Sequence, residues 1–163
     1  MKSLTFAALT NRQLAYVRAI NRARAELDAQ APRALREALE AAAIQQMHLA
    51  YRRLLVELAE QAGVTLSGIP GDAADLIRVL REAEAAVGGA EQCQALEASG
   101  WLADMLRAAQ ADASLRPPVA PARTAATTDL IALAPAAEER PLDDWYLSLQ
   151  RLTAELRETS LEW

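Results

Sequence analysis

Between Pro32 and Gly63 no proline or glycine interrupts the chain. Within that run Leu35, Leu39, Ala43, Met47, Tyr51, Leu54 and Leu58 recur every three or four positions, and Ile44 and Leu55 widen the stripe. At about 3.6 residues per turn this spacing puts them on one helix face. The expected helix runs from Pro32 to Ala62, about 45 Å at 1.5 Å per residue. An apolar face of that length demands cover along all of it, and only other helices of similar length supply that cheaply.

The remaining segments offer such cover. Leu9 to Gln30 reads as a first helix capped by Thr10 or Asn11, with Leu9, Tyr16, Val17, Ile20, Ala23 and Leu27 turned inward. Asp72 caps a third helix whose face is Leu76, Ile77, Leu80, Ala83 and Val87, ended by Gly88-Gly89. A short piece, Ala90 to Ala98, precedes a helix capped by Ser99 that carries Trp101, Leu102, Met105 and Leu106. A last helix from Pro141 toward Trp163 carries Trp145, Leu149, Leu152 and Leu156. Before it lies "RPPVAPARTAATTDLIALAPAAEERP", whose prolines forbid a continuous helix. Its length suits a long crossover or a tether. Its apolar "DLIAL" is suited to docking back on the body. No strand-like alternation occurs.

The expected fold is therefore all-α. It is an antiparallel bundle of four to five helices with a long central second helix and a Pro-rich linker before the last one. The expected organisation is a bundle core over 1–114, a linker over 115–140 and a docking C-terminal helix over 141–163. Hydrophobic residues make up 52% of the 163, yet aromatics only 4%, so the core must be built from Leu, Ala, Ile and Val. Trp101 and Trp145 are the expected core anchors; Trp163 is terminal.

The charge pattern narrows the function. The net charge of -5 argues against a global nucleic-acid footprint. One cysteine, Cys93, excludes an intramolecular disulfide and a Cys-rich zinc site. The apolar stretch Leu4 to Leu9 is too short for a signal peptide, and no run approaches the ~18 apolar residues of a membrane span. A cytoplasmic protein is expected. Asp143-Asp144 and Glu138-Glu139 read as helix caps and solubilising charge.

His48 is the only histidine. A metal site needs further ligands, and no Gly-flanked nucleophile turn accompanies it. It reads as a structural histidine at the core edge, so no catalytic, cofactor or metal residue is assigned. The arginines Arg12, Arg18, Arg22, Arg24, Arg33, Arg36, Arg52 and Arg53 are interleaved with Glu26, Glu37, Glu40 and Glu57, as on a solvated face. The candidate interaction surface is Arg12, Arg18, Arg22, His48, Arg52 and Arg53. It would serve a protein partner, or an RNA backbone in the alternative reading.

The stretches "NRQLAYVRAINRARAEL", "REALEAAAIQQMHLAYRRLLVELAEQAG" and "LQRLTAELRETSLEW" resemble a family of small helical proteins of Pseudomonas and related gammaproteobacteria. The resemblance implies a cytoplasmic bacterial protein, and it supplies no catalytic residues. HEPN ribonucleases place an arginine, a polar residue and a histidine close together on a helix. Here Arg36 stands too far before His48, and Arg52-Arg53 follow it. The expected function is a non-enzymatic adaptor or regulatory protein, without cofactor, its oligomeric state open to a homodimer. The alternatives are an RNA-associated helical protein or HEPN-like ribonuclease, and a small-molecule sensor with a pocket near Trp101, for which the sequence shows no polar convergence.

Overall fold

A computed structural model describes residues 5–113 and 140–161. The described residues form α1 (Phe6–Ala25), α2 (Arg33–Gln61), α3 (Ala73–Glu82), α4 (Gly88–Ala98), α5 (Trp101–Ala113) and α6 (Leu142–Leu161). The fold is all-α. The described residues hold six helices against the expected four to five, the short piece at 88–98 being a helix of its own. The segment expected as linker, with its "DLIAL", lies outside the described residues apart from Arg140. Trp163 lies outside them too.

Side-chain bonds fix the directions. Gln13 Nε2 donates to Gln46 Oε1 (3.0 Å) and Arg53 Nη1 to the Leu9 carbonyl (3.3 Å), so α1 and α2 are antiparallel. Arg140 pairs with Glu40 (3.4 Å) and Arg157 with Glu57 (2.6 Å), so α6 runs parallel to α2 and antiparallel to α1. Gln45 Nε2 donates to the Ala109 carbonyl (3.0 Å), placing the end of α5 beside the early part of α2. The ends of α5 and α6 that flank 114–139 thus lie at the same end of the bundle. Helices α3 and α4 close the opposite end.

The core is contiguous. Met47, Tyr51, Leu54, Leu55, Leu76, Leu102, Met105 and Leu149 are fully buried, and Trp145, Leu152 and Leu156 pack with them. The α2 stripe is buried from Ala43 to Leu58, but Leu35 is 44% exposed and Leu39 half-buried. No described helix covers the first turns of α2.

α1 differs from its expected boundaries and face. Thr5 caps it, accepting from Ala8 N, and it ends at Ala25. Thr10 lies inside it and donates back to the Phe6 carbonyl (3.1 Å). The buried face is Thr10, Gln13, Leu14, Val17 and Asn21, whereas Tyr16 is 48% exposed and Ala23 is exposed. The inward face is rotated because polar Gln13 meets Gln46 across the helix pair.

α3 stops five residues before the expected end. The amides of Glu84 and Ala85 donate to the carbonyls of Arg81 (3.1 Å) and Leu80 (2.9 Å), with Glu84 left-handed at φ 53°. That is a Schellman closure without glycine. The same bonds close α2, from Gly63 to Glu60 and from Val64 to Ala59, with Gly63 at φ 74°. Gly88 and Gly89 open α4 instead of ending α3. A Cβ on Gly89 would lie 3.2 Å from Leu58 Cδ2 and 3.3 Å from Leu156 Cδ2, so α4 starts in close contact with α2 and α6. Ser99 closes α4 rather than capping α5, and Gly100 at φ 99° makes the turn between them.

Candidate functional site

The six residues of the expected interaction surface go separate ways. His48 is half-buried; burial, and then the Arg52 guanidinium one turn on, push its pKa below the usual value. Arg52 donates to the carbonyls of Pro70 and Ile69 (both 3.2 Å), holding the loop before α3 along α2. Arg53 leaves α2 about 100° away around the helix axis and reaches α1. Arg22 pairs with Glu26 (2.8 Å) in an exposed i,i+4 bridge. Arg18 lies beside Tyr146, its charge opposing the upward pull of burial on that phenol. Arg12 is exposed, about 120° around α1 from Arg18. His48 and Arg52 stand one turn apart on α2, and Arg18 and Arg22 one turn apart on α1, but the six do not form one surface.

Two polar clusters join the helices instead. Glu57 belongs to no solvated face: it is 2% exposed. Arg157 Nε and Nη2 donate to its two oxygens (2.6 and 3.0 Å), and Gln61 donates at 3.4 Å. The same guanidinium donates to Asn11 Oδ1 (2.9 Å) and the Ala7 carbonyl (3.4 Å), so one side chain clasps α1, α2 and α6. In the second cluster the Tyr51 hydroxyl donates to Glu97 Oε1 (2.7 Å), which also accepts from the first amide of α3, Ala73 N (3.0 Å). Burial raises the pKa of Glu97 and of Tyr51. Beside them buried Cys93 is pushed up to about 12, mainly by desolvation, which keeps it an unreactive thiol. Both clusters act as structural joints.

Among the described residues an exposed cleft of about 230 Å³ lies between α4, α5 and α6. Leu96, Trp101 and Leu152 give it an apolar lining; Gln92, Ser148, Arg151 and Glu155 give it a polar one. Trp101 is therefore half-buried against this cleft, while Trp145 is the buried anchor. The polar convergence that the sequence does not show near Trp101 is present. Ser148, Arg151 and Glu155 share one α6 flank at helical spacing, a legible signal; that Gln92 faces them is set by tertiary packing. Arg151 and Glu155 stand one turn apart, yet among the described residues neither forms an ion pair. The cleft thus offers one uncommitted charge of each sign in a lining shared with an indole. Its volume is below the ~300–1,000 Å³ usual for small-molecule pockets and suits a single large side chain.

Among the described residues no group of three or more His, Cys, Asp or Glu is placed to hold a metal ion. No described helix is long and apolar enough to cross a membrane. No curated protein and no solved structure matches the chain. The family model described as "Family of unknown function (DUF6586)" matches residues 4–163, and the chain therefore belongs to that family.

Proposed function

We propose that the protein is a non-enzymatic helical module, an adaptor or regulator, that works by protein–protein contact at the α4–α5–α6 cleft. The cleft itself carries this reading. A lining of one indole with an exposed, uncommitted cation and anion suits an apolar side chain flanked by opposite charges. Aromatic anchors with a polar surround are typical of the energetic centres of protein interfaces. The setting that goes with it is the bacterial cytoplasm, in an organism related to Pseudomonas, as the sequence resemblance implies.

The test is a photo-crosslinking residue in place of Ser148, in the native host. A discrete protein adduct, reduced by Arg151→Glu and by Glu155→Lys, is the expected result. Adducts that ignore both reversals would overturn the reading. Adducts to RNA, with salt-sensitive RNA binding lost on changing Arg18, Arg22 and Arg53 together, would replace it with the nucleic-acid alternative.

A further inference from the structure

An arginine followed four residues later by a glutamate closes repeatedly in this bundle: Arg22–Glu26 at 2.8 Å, Arg33–Glu37 at 2.6 Å and Arg78–Glu82 at 3.4 Å. Arg151 and Glu155 have the same spacing and order on α6, and both are exposed. Yet they do not close, and among the described residues neither has another charged partner. One turn before Arg151, Leu147 is 47% exposed on the same helix. Across the cleft, Leu96 and Trp101 are only half-buried. Apolar surface is thus joined to a cation and an anion that lack counter-charges.

A cation followed by an anion one turn on is its own complement once the helix is reversed. Take a two-fold axis perpendicular to α6, level with the midpoint between 151 and 155. It lays a second α6 antiparallel to the first and sets each Arg151 against the other copy's Glu155. A parallel pairing would set like charge against like. Residues 151 and 155 are about 6 Å apart along the helix, so the two ion pairs flank the axis closely. Leu147 is about 9 Å from the axis and falls inside the covered area. In such a two-fold contact one patch serves both sides.

We propose that the partner met at the α4–α5–α6 cleft is a second copy of this chain, in an antiparallel α6 pair closed by reciprocal Arg151–Glu155 bridges. The inference rests on the cleft reading and names its partner. The charges set the register and reject wrong partners, and the covered apolar surface supplies the attraction.

Analytical ultracentrifugation of the full chain tests it. The wild-type protein should dimerise at or below about 100 μM. Arg151→Glu leaves two anions on the rim and Glu155→Lys leaves two cations. Each variant alone should self-associate at least about tenfold more weakly. An equimolar mixture of the two should regain association to within about threefold of wild type, because each copy then meets its opposite. A merely structural role for either residue does not give that recovery. A wild-type monomer overturns the inference; a Ser148 adduct to a different protein then leaves the cleft reading standing, and the absence of any protein adduct removes both. A dimer indifferent to both reversals overturns it, as does a mixture no stronger than its components. Should a reversal fail to fold, Leu147→Glu decides in its place: dimerisation weakened at least about tenfold is expected, and an unchanged dimer overturns the inference.

Discussion

The two halves of α2 are one uninterrupted helix in contrasting surroundings. From Arg33 to Ala38 every residue is exposed, Leu35 included; from Leu54 to Ala59 every residue is buried, Glu57 included. Periodicity is the same in both. What differs is the neighbours: the second half is enclosed by α1, α3, α4, α5 and α6, while the first has little cover among the described residues. Helical spacing therefore shows which residues can be buried, and the arrangement of other helices decides which ones are. A carboxylate can end up inside and a leucine outside.

The largest expected effect breaks the comparison at its most buried charge. Arg157→Met strands the Glu57 carboxylate and should cost about 3–5 kcal/mol in urea unfolding. Asp143→Asn, at the other end of α6, should cost less than about 1 kcal/mol. Leu54→Ala should cost about 2–5 kcal/mol through the cavity it leaves, against about 0.5 kcal/mol or less for Leu35→Ala. Similar losses at the two leucines would erase the distinction between the halves. Tyr51→Phe removes the donor to Glu97 and should cost about 1–3 kcal/mol, with α3 and α4 the first elements to lose exchange protection.

The smallest effects are in pH dependence, and their signs oppose. The folded pKa of His48 lies below its ordinary 6.5, so the unfolded chain binds the proton more tightly. Stability should fall as pH drops below 6.5 toward the folded value, and His48→Gln should remove that slope. The folded pKa of Glu97 lies above its ordinary 4.5, so its contribution is full below 4.5 and is lost as pH rises through the raised value. Denaturation across pH 4 to 8 in wild type, His48→Gln and Glu97→Gln separates the two.

The elements and their approximate bounds were legible because Leu, Ile and Met at helical spacing are diagnostic. The inward face of α1 was not. Tyr16 and Ala23 read as core, and Gln13 gave no sign of burial, since only the presence of Gln46 opposite makes a buried glutamine acceptable. Glu57 was hidden for the same reason: its partner Arg157 is remote in sequence. The end of α3 was misplaced because closure at Glu84 relies on backbone bonds and not on a glycine. Of the candidate site, Trp101 stood out from the sequence by size and scarcity. The meeting of Gln92 with the Ser148–Glu155 flank depends on how α4 and α6 cross.

The shared location of the α5 and α6 ends bears on how such chains can be lengthened or cut. Because the bundle sets no span to be bridged there, residues 114–139 are under no minimum-length constraint beyond that of a short helix–helix turn. Loop-closure entropy rises only about 0.6 kcal/mol per doubling of length. The junction is therefore an insertion port: sequence can accumulate, shrink or be exchanged for another module at this point while α1, α2, α5 and α6 keep their register.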